Sequence, residues 1–173
     1  MKTLFAALLL ALSLPAAGQV YVFGMGGHSK AATSTTPATS GSEFKTWHAG
    51  AGWRFSKYLA AEVGYLDIGN HGDADASWKA DGFGIAAVGT LPISGPWALV
   101  GKAGLYRLES DFVAPGSTLV TSKLGSRPLL AIGGQYHVGD ALHLQLLVQH
   151  IDGKNDTNLD NVRLISIGAV LQF

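Results

Sequence analysis

The side chains that could do chemistry in this chain of 173 residues are few and scattered. Cysteine is absent, which removes disulfides, thiolate metal sites and cysteine nucleophiles together. His28-Ser29 is the adjacent pair that would set a general base beside a nucleophile, as in a lipid-modifying hydrolase. Neighbours in an extended strand point to opposite faces, so in a strand this pair cannot act together. His71, Asp73 and Asp75 offer cation ligands, but a stretch so rich in Gly and Asp is more commonly a solvated turn. No Gly-rich phosphate loop, paired-carboxylate site or metal-ligand spacing occurs. The expectation is therefore no enzyme, no cofactor and no metal. Lys and Arg (12) balance Asp and Glu (12), so no basic face advertises nucleic acid. Two charges are singled out: Glu62 within Leu59–Gly69, and Lys102 within Trp97–Leu108.

The elements that position them begin after an export signal. Lys2 is followed by the apolar run Leu4–Leu14, then Pro15 and the small residues Ala16-Ala17-Gly18. This is the three-part pattern of a secretory signal peptide, and its apolar core is too short for a spanning helix. Residues 1–18 are expected to be removed, leaving 19–173 as one domain. With apolar residues at 47% and charged residues at 14%, the chain as a whole is unusually uncharged for a soluble protein.

Its hydrophobic period is two. In Val162–Phe173 the apolar set is Ile165, Ile167, Ala169, Leu171 and Phe173. In Ala141–Asp152, Leu142, Leu144, Leu146 and Val148 alternate with His143, Gln145, Leu147 and Gln149. In Leu129–Val138, Leu130, Ile132, Tyr136 and Val138 oppose Ala131, Gly133, Gln135 and His137. Phe44–Phe55 sets Trp47, Ala49, Ala51, Trp53 and Phe55 against Thr46, His48, Gly50, Gly52 and Arg54. Leu59–Gly69, Ala80–Leu91 and Trp97–Leu108 behave alike, with Glu62, Lys102 and Tyr106 on the less apolar side. Val20–Lys30 is the first strand, and Tyr21, Phe23 and Met25 are expected on its apolar, outward face.

Ser56-Lys57, Ile93–Pro96 and Gly139-Asp140 are tight turns. Between them lie the longer polar stretches Ala31–Glu43, Asn70–Ser77, Ser110–Ser122 and Gly153–Asn161. Short turns on one side and long loops on the other fit an all-β fold: an eight-stranded antiparallel up-and-down transmembrane β-barrel. The less apolar face carries mostly Gly, Ala, Thr, His and Gln. Water would require more charge, whereas a narrow barrel interior holds small residues. Lipid then covers the other face, with turns and both mature termini in the periplasm and loops outside. Tyr21, Phe23, Trp53, Phe55, Tyr58, Trp97, Tyr136 and Phe173 are expected to form a girdle at the turn side. Phe44, Trp47, Tyr65, Trp78 and Tyr106 would form another toward the loops.

The stretch Tyr58–Gly69 (YLAAEVGYLDIG), the run Gly101-Lys102-Ala103-Gly104-Leu105 and the terminal Leu171-Gln172-Phe173 resemble the small outer-membrane β-barrel domains of the OmpA/OmpX type. The resemblance covers essentially the whole mature chain. It implies a Gram-negative outer-membrane location and contact with outer-membrane lipid and lipopolysaccharide. Phe173 resembles the terminal aromatic read by the barrel assembly machinery during insertion. As the sequence stops at Phe173, the peptidoglycan-binding domain of two-domain members is not expected. A structural or surface-contact role is implied, with a narrow gated pore as the alternative and a lipid-modifying enzyme behind it; no extracellular ligand can be named.

Glu62 and Lys102 both face inward in this register, on strands that run the same way and a few residues above their turns. An ion pair across the lumen is therefore expected, with Gln145 completing it and Arg54 as a further polar lumen residue. The family resemblance implies the same kind of internal polar network. It would serve either as a plug or as the gate of a small pore.

Overall fold

A computed structural model of the chain describes residues 19–31, 44–73, 76–113, 120–152 and 162–173. The proposed signal segment, most of Ala31–Glu43 and Gly153–Asn161 lie outside the described residues. Eight strands follow one another: β1 (Gln19–Ala31), β2 (Phe44–Arg54), β3 (Leu59–Asp73), β4 (Ala76–Ser94), β5 (Trp97–Val113), β6 (Val120–His137), β7 (Leu142–Ile151) and β8 (Val162–Gln172). Each pairs antiparallel with the next, and β1 pairs with β8 to close a barrel. Closure leaves no sheet edge, so the backbone groups of every strand find partners within the ladder.

The tight turns fall where turn residues stand. Between β2 and β3, Ser56 Oγ accepts hydrogen bonds from the backbone N–H groups of Leu59 (3.1 Å) and Tyr58 (3.2 Å). Between β4 and β5, Gly95 has φ +54°, a left-handed conformation that suits a residue without Cβ. The opposite end differs from the sequence-based expectation. β3, β4, β5 and β6 run on through much of Asn70–Ser77 and Ser110–Ser122, so only 74–75 and 114–119 lie between those strands. The two-residue alternation of the sequence stops there, yet pairing persists. Gly69 (φ 90°) lies where that difference begins. It marks a bulge between Asp67 and Gly69, held by Asp67 Oδ1 accepting from the Gly69 N–H at 2.7 Å, and not the end of the strand.

The outward face is an unbroken apolar belt. Leu59, Val63, Phe83, Ile85, Leu99, Leu105, Leu130, Ile132, Leu144, Leu146, Ile165, Ile167 and Leu171 all lie exposed on it, Phe83 at 70% and Ile167 at 64%. A belt of this extent is what a hydrocarbon surround covers and water does not. At the turn end it carries Trp53, Phe55, Tyr58, Trp97, Tyr136 and Phe173, with Trp97 and Tyr136 edge-to-face at 4.8 Å. Toward the loops, Trp47, Tyr65 and Phe83 form a ladder across β2, β3 and β4, with centroids 5.1 and 4.8 Å apart. The side chains of Phe44 and Trp78 lie outside the described residues.

Two expectations about faces are corrected. Tyr21, Phe23 and Met25 point into the barrel, each 4% exposed or less, and Tyr106 is likewise interior and not part of a girdle. The register shows why. Tyr21 stands opposite Gly52 and Phe23 opposite Gly50, both on the inner face of β2. A Cβ on Gly52 would run into the Tyr21 ring, and one on Gly84 into the Tyr106 ring. Glycine opposite each ring makes the room that a narrow eight-stranded interior otherwise lacks. The lipid face of β1 is correspondingly slight, with Val22, Gly24 and Gly26 outward.

Candidate functional site: the filled lumen

The interior is layered along its length. Near the turn end it is polar: Gln145 Nε2 donates to Gln135 Oε1 (2.7 Å), and Gln135 Nε2 lies 3.1 Å from His137 Nε2. His143 Nε2 lies 3.3 Å from Gln172 Oε1, and Gln172 Nε2 donates to Gln19 Oε1. Above this layer is the ion pair. Lys102 Nζ approaches Glu62 Oε1 at 2.9 Å and Oε2 at 2.7 Å, the two side chains being 0% and 1% exposed.

The pair is held by what surrounds it. Inward positions on β3 and β5 bring Glu62 and Lys102 into the lumen, and β4 separates the two strands in the sheet. Tyr21 OH donates to Glu62 Oε1 at 2.9 Å, and Lys102 Nζ lies 4.7 Å from the centroid of the Phe23 ring. The carboxylate thus has three donor contacts and the ammonium an aromatic face, within the buried apolar cluster of Tyr21, Phe23, Met25, Ala60, Val88, Val100, Leu147 and Val170. A charge pair in so dry a setting needs this degree of satisfaction to persist.

The sequence reading missed Tyr21, because it assigned β1's rings to lipid. It also misplaced Gln145, which bonds Gln135 in the polar layer and does not complete the ion pair. Gln145 Oε1 has no protein partner among the described residues. Arg54 sits at the turn end with its guanidinium carbon 5.7 Å from the Tyr21 ring centroid, a cation–π approach.

Higher still, His48 Nε2 and Tyr106 OH share a hydrogen bond of 2.7 Å. Gly64 lies against this pair: a Cβ there would stand 2.8 Å from His48 Nε2. Toward the loops Leu66, Ile68, Leu108, Leu129, Ile151 and Leu164 pack in one apolar cluster, beside the buried polar side chains of Ser29, Thr46, Arg127 and Gln149. No group of three or more His, Cys, Asp or Glu residues among the described residues could hold a metal, and the side chains of His71 and Asp73, like Asp75 itself, lie outside them. His28 is exposed and Ser29 buried, so the two stand on opposite faces of β1.

An antiparallel eight-stranded barrel with a lipid-compatible exterior and a packed interior defines a small transmembrane barrel of the outer-membrane kind. The chain belongs to the outer membrane protein beta-barrel domain family, whose model matches residues 4–173. Among solved structures it is similar to Neisserial surface protein A, with a TM-score of 0.74, 20% identity, and coverage of 89% of this chain and 97% of that one. It is also similar to Ail, the attachment invasion locus protein of Yersinia pestis (TM-score 0.63, 14% identity, 91% of this chain and 100% of that one). A third is the N-terminal β-barrel domain of Pseudomonas aeruginosa OprF (TM-score 0.61, 11% identity, 90% and 99%). At these identities the likeness is one of fold. No curated protein matches the sequence. The chain is thus an outer-membrane β-barrel protein.

Proposed function

We propose that this barrel is a closed scaffold that presents its loop end to the cell exterior, and that it does not conduct. The observation that carries the reading is the filled lumen: the Glu62–Lys102 pair with Tyr21 and Phe23 around it, and the apolar cluster of Leu66, Ile68, Leu108, Leu129, Ile151 and Leu164 above. A hydrated ion entering so closely filled an interior would have to give up most of its water, and the buried hydroxyls of Ser29 and Thr46 are already bonded to the wall. With the lumen sealed, the parts left to meet other molecules are the outer wall and the loop end. The orientation follows from the short turns and both chain ends sharing one side, as outer-membrane barrels have them in the periplasm. The names of two similar structures, a surface protein and an attachment protein, fit the same reading.

Reconstitution in planar bilayers tests it. The expected record is no steady unit conductance at either polarity, for the unaltered protein and for Leu129→Ala alike. Discrete, reproducible openings that change in size with Lys102→Met would replace the scaffold by a gated pore.

A further inference from the structure

The rim of the barrel where the apolar belt gives way to the loop end is electrically lopsided. On β3, β4 and β5 the outward positions past the belt hold both signs: Asp67, Lys79 with Asp81, and Arg107 with Glu109 and Asp111. Lys79 Nζ lies 3.3 Å from Asp81 Oδ1, and Tyr65 OH donates to Asp81 Oδ2 at 2.6 Å. That side supplies its own counter-charges.

On the other side the strands themselves supply none, and Asp152 follows directly after β7. Four strands adjacent in the closed ring, β7, β8, β1 and β2, contain no Asp or Glu. At the same rim they carry His150, Arg163, His28 and Lys45. His28, Lys45 and Arg163 are exposed and His150 is half-buried. The register sets them in pairs: His150 opposite Arg163, and His28 opposite Lys45. Among the described residues, neither Lys45 nor Arg163 has an ion-pair partner. Basic residues facing one another on one side of a sheet destabilise it unless a counter-charge comes from elsewhere.

We infer that this wall, β7–β8–β1–β2, is a docking surface for a phosphate-bearing glycolipid of the surrounding leaflet, with Lys45 and Arg163 as the principal phosphate contacts. What lies immediately below identifies the occupant. Next to Lys45 and His28 on the same outward face come Trp47, Gly26, Ile165 and Val148, and then Ala49, Gly24 and Ala169. Cations stacked directly on a lipid-facing belt match a molecule with an anionic head and apolar tails. The small residues leave the belt shallow: a Cβ added at Gly24 or Gly26 would meet nothing within 4 Å. Acyl chains can therefore lie close to the wall beneath their headgroup. The patch crosses three strand spacings, roughly 14 Å, wide enough for a headgroup with more than one phosphate.

That the leaflet is the outer one rests on the orientation proposed above; binding in detergent does not, so the two fail separately. The test uses the full chain in a neutral detergent, titrated with bis-phosphorylated lipid A and with its dephosphorylated form, with bound lipid counted by native mass spectrometry. Lys45→Ser with Arg163→Ser should weaken binding of the phosphorylated lipid about thirtyfold, at about fivefold per cation near an anionic headgroup. Lys79→Ser with Arg107→Ser, on the opposite wall, should leave the affinity near that of the unaltered protein. The dephosphorylated lipid should bind the unaltered protein about thirtyfold more weakly than the phosphorylated lipid does. That comparison needs no variant to fold. Equal losses in both double variants would mean general attraction between the barrel and anionic lipid, and would overturn the assignment. So would an unaltered protein that does not distinguish the two lipids, as expected if carboxylates of the chain itself already neutralise the wall.

Discussion

Glu62 illustrates how one buried charge constrains its neighbours. Its two oxygens take both contacts from Lys102 and the hydroxyl of Tyr21, so removing any partner leaves a desolvated ion under-satisfied. Removing one member of such a pair costs about 3–5 kcal/mol, because the survivor stays in a medium that cannot solvate it. Lys102→Met and Glu62→Gln should each lower the thermal unfolding temperature of the detergent-solubilised barrel. The double variant should recover part of the loss, since no orphan charge remains. Strictly additive losses would show that the two side chains are energetically independent. The pairing of Glu62 with Lys102 could be anticipated from alternation and strand direction alone. The Tyr21 contact could not, because a tyrosine in a two-residue period suits a lipid-facing girdle as well as a lumen, and only the glycine opposite it decides. Gln145 was likewise assigned to the right face, but a face does not specify a level within the lumen.

At the scale of the strand, alternation is a reliable guide where the two faces differ in kind. β8 is such a strand: Ile165, Ile167 and Leu171 are exposed while Leu164, Ser166 and Val170 are buried. Ile167→Asp places a carboxylate against hydrocarbon, whereas Ser166→Asp places it inside, beside Gln149, whose Nε2 donates to Ser166 Oγ at 2.8 Å. The first change should abolish most membrane assembly, read as loss of the heat-modifiable folded band on a gel; the second should retain most of it. Equal tolerance would invert the strand. β1 shows where this guide fails. Its outward residues include Gly24 and Gly26 and its inward ones Tyr21, Phe23 and Met25, so polarity runs opposite to the other strands. Strand ends were harder to read than strand faces for a related reason. Asn70–Asp73 and Ser110–Val113 continue the ladder in positions that carry no one-sided pattern.

For the whole molecule, the ring arrangement creates relations that a linear reading does not reveal. The basic wall is assembled from residues 28, 45, 150 and 163, brought together only because β8 returns to β1. Orientation in the membrane is likewise a property of the whole barrel. An epitope inserted near Thr36, between β1 and β2, should be labelled by antibody on intact cells. Labelling only after the outer membrane is permeabilised would turn the barrel over, and would move the basic wall to the inner leaflet without altering its affinity for phosphate.

The seam between β8 and β1 also bears on where the chain has to begin. The Phe173 N–H donates to the Val20 carbonyl at 2.9 Å, so the two termini of the barrel lie one hydrogen bond apart. Around the ring, no strand is first. A short linker from Phe173 to Gln19, with the chain opened instead at Gly95 on the same side, would be a circular permutation that keeps every strand pairing. Its last strand would be β4, and its last residue no longer Phe173. Such a ring would hold the information that shapes the barrel while lacking the terminal aromatic proposed to deliver it, so architecture and address could be separated in one molecule.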